Sequence, residues 1–121
     1  MSKKRNVSFV MPEYLLDQIE VRAHVAGRSR NAEMRALVNA GLVVASGDFH
    51  LEFLPSPRRR AILWIEDEIL LNISDRARAY GRSLGRELVR LMGLGIQKGV
   101  DRDLAIIAEM MSRQGLSAPS H

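Results

Sequence analysis

Residues 6–12 read Asn6-Val7-Ser8-Phe9-Val10-Met11-Pro12, and they open on a polar–apolar alternation from Asn6 to Phe9. Val7, Phe9 and Met11 fall on one side and Asn6, Ser8 and Val10 on the other, the period of a short strand with one buried face. Pro12 then suits the first turn of a helix, where its missing N–H costs nothing, and Glu13 and Asp17 favour that positive end. Leu15, Leu16, Ile19 and Ala23 recur at three- and four-residue spacing, which makes an apolar stripe over roughly 12–26. Gly27 is a natural stop. Ser29 caps a second helix, whose buried face is expected to carry Met34, Leu37, Val38 and Leu42.

The same pattern returns 54 residues later without a gap. Leu16, Ile19, Arg22, Ala23, Gly27, Arg28, Ser29, Glu33, Leu37 and Gly41 match Leu70, Ile73, Arg76, Ala77, Gly81, Arg82, Ser83, Glu87, Leu91 and Gly95. Chance supplies roughly two or three identities over such a span at ordinary residue frequencies, so duplication is the better account. The second copy predicts a strand near 60–65, a helix near 66–80 and a capped helix from Ser83 to about Lys98. A further amphipathic piece, 101–112, carries Leu104, Ile107, Ala108 and Met111 ahead of a loose Gly/Ser/Pro tail. One strand and two short helices cannot bury a core alone, and a lone strand leaves its edges unpaired. Two copies solve both problems by pairing their strands antiparallel over four helices.

Composition agrees with this outline. The chain has 121 residues, which allows one compact domain or two very small ones sharing a core. Aromatics are 5%, thin for a sandwich or barrel and natural for helices packed through aliphatic side chains. With no cysteine, disulfides, thiolate metal sites and cysteine nucleophiles are excluded. The net charge is +4, and it is not spread evenly. Residues 1–44 and 58–99 are basic, and each block opens with a cluster, Lys3-Lys4-Arg5 and Arg58-Arg59-Arg60. The connector between them, 45–57, is acidic and marked by Gly and Pro. Such matched basic blocks point to nucleic acid as a partner.

A strand, a helix, then Gly27-Arg28-Ser29 with Glu33 four residues after the serine resembles the ribbon-helix-helix family of Arc- and MetJ-type repressors. The second copy repeats it as Gly81-Arg82-Ser83 with Glu87. Two such units in one polypeptide look most like the TraY-type accessory proteins of conjugative relaxosomes. The resemblance implies a mainly α fold with a short two-stranded antiparallel β-ribbon, made of two fused ribbon-helix-helix units. The units are 1–44, with a basic N-terminal arm, and 58–99; 45–57 connects them, and 100–121 forms a C-terminal helix and flexible tail.

It also implies a function: sequence-specific binding of double-stranded DNA by a ribbon in the major groove, as a relaxosome accessory factor or a transcriptional repressor. By position, Asn6, Ser8 and Val10 are the base-reading residues of the first strand, and Arg60, Ile62 and Trp64 those of the second. Ile62 and Trp64 depart from the usual polar pattern, and such a stripe is more often buried. Phosphate contacts are expected from Lys3, Lys4 and Arg5, from Ser29, Arg30 and Asn31 at the first capped helix, and from Ser83 and Arg86 at the second. Arg28–Glu33 and Arg82–Glu87 resemble the family's structural ion pair. Leu37 and Leu91 stand where relatives carry a further arginine, so a complete triad is not expected. An intramolecular pseudo-dimer, with further copies assembling on DNA, is the expected state, although the connector's length also permits ribbons made between chains.

The rival reading is an antitoxin-like or protein-interaction module, in which one unit binds DNA and 101–116 captures a protein such as a toxin; in a relaxosome that partner is a relaxase. His24, His50 and His121 are scattered without ligand spacing, and no Ser/His/Asp arrangement is legible, so neither a metal, a cofactor nor an enzymatic activity is expected. Gly93 and Gly95 lie in a helical pattern, where they permit close packing rather than cradle a phosphate. The longest uncharged stretch, 36–47, is too short to cross a bilayer, and the start lacks the apolar core of a signal peptide, so a cytoplasmic protein is expected.

Overall fold

A computed structural model of the chain describes residues 3–113, apart from the side chains of 99–112. The order is β1 (Lys4–Pro12), α1 (Glu13–Ala26), α2 (Arg30–Val44), β2 (Arg58–Glu66), α3 (Asp67–Ala79) and α4 (Leu84–Arg113). It is mainly helical, with a two-stranded antiparallel sheet and four helices.

The strands pair within the chain, from Lys4 opposite Glu66 to Pro12 opposite Arg58. Ser8 stands opposite Ile62, its counterpart in the sequence repeat. The alternation works as expected: Phe9, Met11, Ala61, Leu63 and Ile65 are buried beneath the ribbon. Each strand runs straight into a helix whose first N–H finds a carbonyl one residue ahead of the facing strand. Glu13 N–H donates to the Pro57 carbonyl and Asp67 N–H to the Lys3 carbonyl, both at 2.8 Å. These bonds satisfy helix-start donors that lack a side-chain cap.

Both strands are longer than the alternation suggested. Lys4 and Arg5 are strand residues rather than a free arm, because the ladder continues to the Lys4–Glu66 pair and Lys3 caps α3.

Gly27 and Gly81 adopt φ of 68° and 66°, the left-handed region that ends a helix cheaply only at glycine. After each, a serine caps the next helix: Ser29 Oγ accepts from Ala32 N–H at 3.1 Å and Ser83 Oγ from Arg86 N–H at 3.2 Å. Replacing either serine by alanine is expected to cost about 1 kcal/mol, read as a shift in urea-unfolding midpoint.

The helices meet most closely where α2 crosses α4. A Cβ on Gly41 would lie 2.2 Å from the Leu91 carbonyl oxygen, and one on Gly95 would lie 2.4 Å from that of Leu37. The contact is therefore backbone against backbone, and it is reciprocal between repeat positions. Around it Met34, Val38, Leu88, Leu91 and Met92 join Leu16, Ile19 and Ile73 in one core. Leu42, expected in that core, is only half-buried at its margin.

The sequence suggested a break between Lys98 and Asp101, but α4 is continuous from Leu84 to Arg113. Glycine weakens a helix by roughly 1 kcal/mol without stopping it, and no proline interrupts this span. The amphipathic face expected of 101–112 and the tail after Arg113 lie outside the described side chains and residues.

Candidate nucleic-acid interface

Because odd positions of β1 point inward, even ones face solvent. Asn6, Ser8 and Val10 stand beside Trp64, Ile62 and Arg60 respectively on the outer face of the ribbon. All six candidate readers are thereby brought together. Ile62 and Trp64, the two departures from a polar pattern, are 49% and 50% exposed rather than buried, and Val10 is 40% exposed. The Arg60 guanidinium reaches diagonally to donate to Ser8 Oγ at 2.8 Å. The face is thus polar and amide-bearing at Asn6, cationic at Arg60, and apolar at Val10, Ile62 and Trp64. It offers hydrogen bonds, a charge and methyl-sized contacts within one strip.

The helix starts flank the ribbon, but their side chains are committed unequally. Asn31 Oδ1 accepts from Trp64 N–H at 2.7 Å while its Nδ2 donates to the Trp64 carbonyl at 3.1 Å. This amide closes the outer edge of β2: its oxygen and one of its N–H groups serve the ribbon. Its sequence repeat is Gly85, where an added Cβ would meet Phe9 Cβ at 2.9 Å; no amide fits there. Arg30 is held by Glu20 at 3.1 Å. Arg5 pairs with Asp67 at 2.7 Å, and its repeat counterpart Arg59 lies 3.8 Å from Glu13 and 3.7 Å from Asp17. Lys3, Lys4, Arg58 and Arg86 are exposed and have no side-chain partner among the described residues.

The ion pairs beneath the ribbon are richer than the resemblance implied. Glu33 is 2% exposed and is met by Arg28 at 2.9 Å and by Arg22 at 3.4 Å. Glu87 is fully buried, with Arg76 at 3.3 Å, Arg82 at 3.4 Å and Arg90 at 3.7 Å. The absence of an arginine at positions 37 and 91 therefore does not leave a lone pair: Arg22 and Arg76, one helix earlier, supply the further cation. They stood among the repeat identities, but only the helix crossing reveals what they face.

The connector is also tied down. Asp48 takes Arg82 at 2.9 Å and Arg90 at 3.6 Å, and Arg76 donates to the Gly47 carbonyl at 2.8 Å. Arg90 donates to the Phe49 carbonyl and lies 4.7 Å from the centre of its ring. Farther along, Leu54 N–H donates to Tyr14 Oη at 2.9 Å, and Leu51 and Phe53 pack over Gly93.

Desolvation acts to raise the Asp48 pKa, but the Arg82 hydrogen bond, the Phe49 N–H and the charges of Arg82 and Arg90 outweigh it and hold the carboxyl below its ordinary value. A depressed carboxylate stabilises the fold above its unfolded pKa and loses that contribution as pH falls through the folded value. The stability difference between wild type and Asp48→Asn is thus expected at neutral pH and should shrink progressively once pH falls below about 4, the ordinary carboxylate range. Urea titrations of both proteins across pH 2–7 read it.

No family model, curated protein or solved structure matches the chain. Among the described residues no group of three acidic or histidine side chains is placed to hold a metal, and no helix is long and apolar enough to cross a membrane.

Proposed function

We propose that the chain is a sequence-specific double-stranded-DNA-binding protein of two fused ribbon-helix-helix units, which inserts its ribbon into the major groove. The observation that carries this reading is the outer face of the ribbon, where Asn6, Ser8, Val10, Arg60, Ile62 and Trp64 project together from a two-stranded element. A two-stranded ribbon fits a groove about 12 Å wide, and base edges there offer hydrogen-bond patterns and thymine methyls. Asn6 suits adenine, Arg60 suits guanine, and Val10, Ile62 and Trp64 suit methyl groups. The reciprocal features support the two-unit reading. The repeat relates Ser8 to Ile62 across the ribbon, Arg5–Asp67 to Arg59–Glu13, and the Gly41–Leu91 approach to Gly95–Leu37. Each is what a pseudo-dyad through the ribbon centre requires.

The dyad relates Asn6 to Arg60, Ser8 to Ile62 and Val10 to Trp64. Asn6 differs from Arg60 and Ser8 from Ile62 in chemistry, and Val10 differs from Trp64 in size, so the site read is non-palindromic. Work as a relaxosome accessory factor and work as a repressor use the same residues; the genomic position of the bound site separates them. The antitoxin-like alternative rests on 101–116, largely outside the described side chains, and no described residue favours it.

Selection of bound duplexes from a random pool, with affinity measured at several salt concentrations, tests the proposal. The expected result is one enriched asymmetric motif, bound at least about a thousandfold more tightly than random duplex. Binding that stays in the micromolar range for every sequence contradicts it. On the selected duplex, Asn6→Ala is expected to cost about 1–3 kcal/mol and to relax preference at one base pair.

A further inference from the structure

We infer that DNA is gripped by its backbone at one end of the ribbon only, the end where β1 finishes and β2 begins, so that the protein sits on its site with a fixed polarity. This rests on the DNA-binding reading above and adds which phosphates are held. Repeat-equivalent positions at the two ends differ in charge.

At the gripping end, Arg58 stands across from Pro12, and Arg86 projects from the first turn of α4. Both guanidiniums are without a side-chain partner among the described residues, and both line a cleft of about 330 Å³ that also touches Val10, Leu51, Phe53 and Arg90. Val10 belongs to the outer face of the ribbon, so the cleft opens beside the surface that meets the groove. The acidic groups nearby are already engaged: Glu13 and Asp17 face Arg59, and Asp48 holds Arg82 and Arg90. Two cations are left to meet an anion.

At the other end the equivalents of Arg58, Pro12 and Arg86 are Lys4, Glu66 and Ala32. Lys4 has the Glu66 residue directly across the ribbon, where Arg58 has a proline. Glu66 is paired with Arg35 of α2, which spends that cation as well. Ala32 carries no charge, Arg30 is held by Glu20, and Asn31 seals the strand edge that Gly85 leaves open at the gripping end. Asp67 takes Arg5. Lys3 and Lys4 are the free cations here, both at the start of the first strand, and the helix-start position that Arg86 fills at the gripping end is the uncharged Ala32. A phosphate is therefore drawn to the Arg58/Arg86 end and gains little at the Lys4/Glu66 end.

The test uses the full chain and the duplex selected above, comparing wild type with Arg58→Ala, Arg86→Ala, Lys4→Ala and Arg30→Ala. All four residues are exposed or half-exposed, and thermal unfolding checks that each variant keeps the wild-type fold. Each lost phosphate contact lowers the slope of log K against log salt by about 0.9, or roughly fivefold in affinity at physiological salt. Arg58→Ala and Arg86→Ala should each show that loss, while Lys4→Ala and Arg30→Ala leave the slope nearly unchanged. Ethylation of single DNA phosphates should interfere on one flank of the site. Equal losses for Lys4→Ala and Arg58→Ala, or interference on both flanks alike, overturn the one-ended grip while leaving specific DNA binding in place. The absence of any enriched duplex overturns both, and is recognised at the selection step before any variant is compared.

Discussion

Glu87→Gln is expected to destabilise the fold by roughly 3–5 kcal/mol, the cost of removing one partner from a buried ion cluster. Gln keeps the shape and removes the charge that Arg76, Arg82 and Arg90 share. The side chains of those arginines are only 17%, 16% and 13% exposed, so water cannot replace the lost carboxylate. Two of the three also anchor the connector through Asp48, so the damage should spread to Gly47–Phe49. Glu33→Gln makes an internal control. Its arginines, Arg22 and Arg28, are 35% and 46% exposed, so solvent screens their charge and the loss should be about half as large or less. Urea unfolding of the two variants measures both. Equal losses would show that the extra arginine and the connector add nothing to the Glu87 site.

Gly41→Ala is the second large effect, and its sign alone is informative. On an exposed helix this change would gain roughly 1 kcal/mol from propensity. Here the new methyl would stand 2.2 Å from the Leu91 carbonyl oxygen, and backbone cannot swing aside as a side-chain tip does. Overfilling a core costs about 1–3 kcal/mol, and a clash against main chain belongs at or beyond the top of that range. A domain of this size holds only roughly 0.05–0.15 kcal/mol per residue in total, so the loss is a substantial share. Gly95→Ala should behave alike, because its methyl would meet the Leu37 carbonyl oxygen at 2.4 Å. The two substitutions force apart the same pair of helices, so the double variant should lose less than the sum. Gly93→Ala gives the contrast: it meets the ends of Leu51 and Phe53, which can shift, and the loss should be smaller. A stabilised Gly41→Ala would refute the close crossing of α2 and α4.

What could be read in the sequence was local or repeated. Alternation at 6–11 put Phe9 and Met11 beneath the ribbon and Asn6 and Ser8 above it, because strand sidedness depends on parity alone. Ser29, Ser83, Gly27 and Gly81 marked helix ends through bonds that span only a few residues. The repeat distance set Gly41 against Gly95 and gave a reason for both before any packing was known. Contacts between distant elements left no such mark. Asn31 looked like a helix-start residue facing solvent, and only the position of β2 shows its amide spent on Trp64. Arg22 and Arg76 stood only as identities of the repeat until α2 and α4 brought Glu33 and Glu87 to them. The connector read only as acidic and marked by Gly and Pro, since nothing in its composition says that Asp48 and Phe49 meet arginines more than thirty residues away. Ile62 and Trp64 misled in the opposite sense: their apolar character suggested burial, but parity with Ala61, Leu63 and Ile65 places them outside.

The central claim is that the outer face of the ribbon is the surface that recognises DNA, and a carboxylate at its midpoint tests this most directly. Ser8 and Ile62 face each other there and are exposed, so Ser8→Glu and Ile62→Glu should leave the fold and its unfolding midpoint close to wild type. Each would set a negative charge against base-edge acceptors and phosphates, a like-charge juxtaposition worth several kcal/mol. Titrating the selected duplex should show affinity reduced at least about a hundredfold for either variant, with circular dichroism unchanged. A folded Ile62→Glu protein that binds the duplex as tightly as wild type would contradict the account.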